Sequence, residues 1–142
     1  MQKNTSLFMG VSIKKFIPGI AWFFVVLILI CTPGPDLPEV GDWFGQISFD
    51  KVVHCGIFGL LALLFMWPVA KAGIDQPRCT QWFLKVALAT AVFGLMTELI
   101  QKYFIEGRSF SLLDCLADIV GGFGAFAVTY WYFFKRKAKK AY

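Results

Sequence analysis

Acidic residues and histidine are scarce in this chain: there are 9 Asp and Glu, and His54 is the single histidine. With one histidine and no CxxC pair, no Cys/His spacing of a structural metal site exists. The 4 cysteines do not form a disulfide framework either. Cys31, Cys55 and Cys115 lie in or beside apolar segments and Cys79 in a predicted loop, so all are read as free thiols. No hydrolase or transferase signature is present. No small-x-small cleavage site follows the first apolar run, and Ile30 before Cys31 is wrong for a lipoprotein signal, which makes that run a retained helix. Charged residues make up only 16% of the chain against 58% hydrophobic ones, at a mean hydropathy of +0.65. The amphipathic periodicity of a soluble domain is missing.

What fills the chain instead is four nearly uninterrupted apolar runs, each about as long as a bilayer is thick, roughly 20 residues. The spans are placed at about 16–32, 50–70, 81–104 and 111–134. The expected fold is all-α, a polytopic membrane protein of four transmembrane helices in one compact bundle. Pro33-Gly34-Pro35 stops the first span. In the loop that follows, Asp42 to Ile47 is expected to lie along the membrane interface with its aromatics facing lipid. No internal repeat is convincing: Ser48-x-Asp50-x3-His54 and Ser111-x2-Asp114-x3-Asp118 open two spans similarly, but their flanks do not align.

Charge sets the orientation. Of 14 Lys and Arg, the amino-terminal arm, the 71–81 loop with Lys85, and the tail from Lys135 hold eleven; the opposite loops hold only Lys51, Lys102 and Arg108. Positive residues stay inside, so both termini are expected in the cytoplasm, and Trp22, Trp67, Trp82 and Trp131 fall toward the inner ends. The net charge of +5 belongs to helix ends and the basic tail. It therefore indicates contact with the bilayer and its anionic headgroups, not nucleic acid.

The outer ends carry a polar cluster. Residues four apart share a helix face, so Asp50 and His54 project together from span two, and Asp114 and Asp118 from span four. Glu98 and Gln101 share a face of span three. At about 1.5 Å per residue, Asp118 lies roughly 6 Å below Asp114, and Glu98 roughly 9 Å below the end of its span. His54, Glu98 and Asp118 are thus expected at similar depth. Small residues continue these faces, Ala117, Gly121 and Ala125 on span four and Ala87, Ala91 and Gly94 on span three, as close-packing helices in lipid require. An ionised carboxylate at mid-span costs at least about 2.5 kcal/mol. Arg108 is the expected partner for these carboxylates, because its planar fork bridges two of them or grips a phosphate.

The order of these residues resembles the VanZ-like family of small bacterial membrane proteins. The resemblance rests on Asp50-Lys51-x2-His54, Glu98-x2-Gln101, then Arg108, Asp114, Asp118 and Gly121-Gly122, and covers about residues 50–125. Asp118 departs from the family, which often carries Asn there. The resemblance implies a multi-pass protein of the bacterial plasma membrane and cell envelope, with a namesake linked to teicoplanin resistance, and supplies no mechanism.

Two functions follow as expectations. In the first, a lipid-linked envelope component or anionic headgroup is bound or modified from the outer leaflet. Lys51 and Arg108 hold phosphate, Gln101, Asp50 and Asp114 support, and His54, Glu98 and Asp118 serve as acid and base. In the second, the cluster is a helix-packing latch in a structural or interaction protein. No cofactor is expected. A divalent metal on Asp50, His54, Glu98 and Asp118 is opposed by Arg108 nearby. The sequence does not indicate an oligomeric state.

Overall fold

The computed structural model describes residues 10–32 and 46–135, and four helices run through them. α1 is Ile17–Cys31, entered through a 3₁₀ turn at Ile13–Phe16; α2 is Gln46–Ala70, α3 is Gln76–Phe104 and α4 is Leu112–Tyr130. A single π-helical turn, Trp131–Lys135, prolongs α4. Each of the four, α1 taken with its 3₁₀ turn as Ile13–Cys31 and α4 with its π turn as Leu112–Lys135, is long and apolar enough to cross a bilayer. The protein is therefore an all-α membrane protein that contacts lipid. The arm 1–9, residues 42–45 of the interfacial segment predicted at 42–47, and the tail 136–142 lie outside the described residues, while Gln46 and Ile47 of that segment open α2.

Burial is inverted relative to a soluble protein. Ile28, Val52, Phe104, Val120 and Val128 are exposed, whereas Thr90, Thr97, Glu98, Gln101, Asp114, Asp118 and Thr129 are buried. Lipid solvates apolar side chains as well as a protein core does, so packing and polar contacts, not hydrophobicity, hold such helices together. Helix ends follow ordinary chemistry. α3 begins at Gln76, five residues before the predicted start, because Asp75 caps it by accepting from Arg78 N at 3.3 Å and Pro77 occupies its first turn.

The tightest crossing joins α2 and α4, which run parallel. A Cβ placed on Gly121 would collide with the Cys55 carbonyl oxygen and stand 2.8 Å from Gly59 N. Only glycine allows that approach. Gly122, one residue on, faces α3, where a Cβ would meet Thr90 at 3.3 Å. Adjacent glycines thus let α4 wedge between α2 and α3. α1 packs on α2 and barely reaches α3; the Trp22 indole donates to Ile57 O at 3.0 Å, and Val26 and Ile30 bury against Phe58. A larger apolar core, with Phe16, Met66, Val69, Phe83 and Ala87, fills the opposite end of the bundle.

Candidate functional site

The α2–α4 seam brings the tops of both helices together, and their polar residues pair across it. Lys51 Nζ donates to Asp114 Oδ1 at 2.6 Å and lies 4.0 Å from Asp50 Oδ2. One turn deeper, His54 Nδ1 meets Asp118 Oδ1 at 3.0 Å. Asp118 is fully buried and its other oxygen, Oδ2, has no hydrogen-bond partner among the described residues. That oxygen lies where a Cβ on Gly94 would be 2.7 Å away. Glycine at position 94 therefore makes room for the carboxylate that the depth arithmetic placed here.

Glu98 takes a role that the sequence does not advertise. Its Oε2 accepts the Ser111 backbone N–H at 2.8 Å, and Ser111 Oγ in turn accepts from Asp114 N at 3.3 Å. A glutamate inside a helix start usually closes such a cap; here it comes from the neighbouring helix. Glu98 is 1% exposed, with Oε1 unpaired among the described residues. It lies within electrostatic reach of His54, Asp114 and Asp118, so the three residues expected at one depth do converge.

Arg108 differs from its expected place as a bridge between carboxylates. The loop after α3 reverses at Gly107, whose φ of 75° is left-handed. Arg108 then lines a pocket of about 150 Å³ together with Asp50, His54 and Gln101, closed on its apolar side by Val26, Leu29 and Ile30 of α1 and by Phe58. Its buried Nε has no hydrogen-bond partner among the described residues. An unmet buried donor costs about 1–3 kcal/mol. Lys51, expected to hold phosphate, is engaged with Asp114 instead.

The cluster therefore divides. Lys51–Asp114 and Glu98–Ser111 tie helices together, whereas Asp50, His54, Gln101 and Arg108 face a pocket. His54 joins the two halves. With Asp118 ionised, Nδ1 carries the ring proton, and Nε2, 4.0 Å from Asp50 Oδ1, accepts in the neutral ring and donates in the imidazolium. Ligand atoms of Asp50, His54 and Asp114 also gather within 4.8 Å, a spacing that would admit a divalent ion. The Lys51 ammonium already supplies positive charge at Asp114, so an ion would have to displace it.

The wall contributed by α1 was not legible in the sequence, because Val26, Leu29 and Ile30 resemble any lipid-facing residue. The Cys55–Gly59 seam carried a readable signal, small residues four apart, that the cysteine concealed.

No protein family profile matches the chain, and no solved structure matches it. It is 33% identical over 104 residues, 72% of its length, to an uncharacterized protein of fission yeast, C11E3.10 of Schizosaccharomyces pombe. The chain spans 56% of that relative.

Proposed function

We propose that the pocket beneath the α3–α4 loop binds the phosphate headgroup of a membrane lipid, on the side of the bilayer opposite the termini. One observation carries this reading: a buried Arg108 Nε, without a hydrogen-bond partner among the described residues, stands in the wall of a cavity that is polar on one side and apolar on the other. A phosphodiester would supply an acceptor for this Nε and for the rest of the guanidinium fork. The apolar wall of Val26, Leu29 and Ile30 suits the first methylenes of the lipid, and Asp50 and Gln101 suit headgroup hydroxyls. His54 Nε2, oriented by Asp118, sits where a general base for such a hydroxyl would sit. Turnover is a further claim that binding does not require.

The resemblance to VanZ-like proteins implies a lipid of the bacterial envelope and an influence on glycopeptide susceptibility, and the excess of Lys and Arg at the other end of the bundle supports cytoplasmic termini. The similarity to a fission-yeast protein favours an ordinary anionic phospholipid, found in bacterial and eukaryotic membranes alike, as the ligand class. A second reading has specific support as well. Lys51–Asp114 and Glu98–Ser111 form the latch of a structural protein, and on that reading the pocket is incidental.

The test is the melting temperature of the detergent-purified protein with soluble dihexanoyl phosphatidylglycerol. At a hundredfold over its dissociation constant a ligand adds about 2.7 kcal/mol, a rise of several degrees. Arg108→Lys is expected to lose most of that rise while melting like wild type without lipid, since an ammonium does not reproduce the fork. A full rise in Arg108→Lys would count heavily against the reading.

A further inference from the structure

At the other end of the bundle, α1 and α3 touch in two places and leave a gap between. Phe23 of α1 packs at a tilt against Phe93 with ring centroids 4.9 Å apart, and Phe16, in the turn that enters α1, approaches Trp82 at 6.2 Å. Between these contacts lies a groove of about 370 Å³, floored by Leu61 and Phe65 of α2 and walled by Phe23 on one side and Trp82, Val86 and Ala89 on the other. Its size falls in the range of ligand pockets, about 300–1,000 Å³. Its lining is apolar except for Thr90, whose hydroxyl is taken by Val86 O at 2.8 Å, and Lys85. In a bilayer, no water competes for such a space.

Lys85 points to the occupant. α3 has 29 residues, or about 44 Å at 1.5 Å each, against a hydrocarbon core of about 30 Å. Centred in the bilayer, it overhangs by about 7 Å at each end, which places the Lys85 Cα about 7 Å inside the core. Side chains lean toward the start of their helix, here the near interface, so the ammonium snorkels to headgroup level. No ion pair to Lys85 is found among the described residues. Lys14 and Lys15 stand at the same end, immediately before Phe16, and add to the positive charge over the mouth of the groove.

We infer that this groove holds an acyl chain of an anionic phospholipid from the leaflet on the side of the termini, with its phosphate on Lys85. The site shares no residue with the Arg108 pocket and stands or falls separately. The groove supplies the shape for the chain, and the cation selects the headgroup.

Native mass spectrometry of the detergent-purified protein, loaded with phosphatidylglycerol or with phosphatidylcholine of the same chains, tests it. Wild type is expected to retain phosphatidylglycerol in preference. Lys85→Gln weakens that lipid about fivefold, the worth of one interfacial cation, and leaves phosphatidylcholine unchanged. Ala89→Phe, which fills the groove from an exposed position, removes one retained lipid whether or not Arg108 is also replaced by Gln. Should Ala89→Phe fail to fold, Lys85→Gln decides alone. Equal retention of both lipids by wild type, or unaltered retention in either variant, would overturn the inference.

Discussion

Replacing Gly121 by alanine adds one methyl group where two helix backbones meet, and its effect follows from the geometry. The new Cβ would overlap the Cys55 carbonyl oxygen and stand 2.8 Å from Gly59 N, where ordinary contact begins at 3.4 Å. Neither neighbour is a flexible side chain, so α2 and α4 must part by at least about half an ångström. Overpacking of this kind costs about 1–3 kcal/mol. His54–Asp118 and Lys51–Asp114 bridge the same two helices just above the crossing. Loosening two such contacts, at about 0.6 kcal/mol each, adds roughly another 1 kcal/mol. For a chain of this size the sum, about 2–4 kcal/mol, corresponds to a fall of roughly 7–13 °C in melting temperature. The assay is thermal unfolding in detergent followed by far-ultraviolet circular dichroism. Gly56→Ala is the control: nothing lies within 4 Å of its would-be Cβ, and alanine favours helix by about 0.8–1 kcal/mol. It should melt at or above wild type. If Gly121→Ala melted within about 1 °C of wild type, or if Gly56→Ala fell as far, the account of the α2–α4 crossing would be refuted.

Three further outcomes are expected. A double-mutant cycle on Lys51→Met and Asp114→Asn should give a coupling of about 0.6 kcal/mol, and no more than about 1.7; zero coupling would mean that the 2.6 Å contact contributes nothing. Treatment with EDTA should leave the melting temperature unchanged, because the Lys51 ammonium serves Asp114 in place of a metal; a clear fall would show a bound ion. Maleimide should label Cys31 in the native protein and reach Cys79 and Cys115 only after unfolding, since the first is exposed and the others are buried, all being free thiols. Native labelling of Cys79 would contradict its place in the apolar core.

The spans were legible because each is an apolar run, and the convergence of His54, Glu98 and Asp118 was legible because helical rise converts sequence position into depth. Rotation about the helix axis was not. Whether Lys51 turns toward phosphate or toward Asp114 depends on how α2 is rotated against α4, and the Gly121–Cys55 contact sets that rotation. Arg108 is a similar case: its direction follows from the left-handed Gly107, and apolar periodicity says nothing about a loop. Asp75 marks the true start of α3 as its N-cap, but a single capping acid in a polar loop leaves no trace in the hydropathy that sets the start at 81. α1 enters the pocket through Val26, Leu29 and Ile30, which no pattern separates from residues that face lipid.

On the proposed function, the polar cluster holds a ligand pocket beside a helix latch, with different residues in each. The most direct test compares the thermal unfolding of detergent-purified Arg108→Gln and Asp114→Asn, without added lipid, against wild type. Residues kept for a ligand tend to leave stability unchanged or raised when neutralised, whereas Asp114→Asn loses the charge that holds Lys51. Arg108→Gln is expected to melt at or above wild type and Asp114→Asn clearly below it. If Arg108→Gln instead fell together with Asp114→Asn, the whole cluster would be a latch and the pocket would have no ligand.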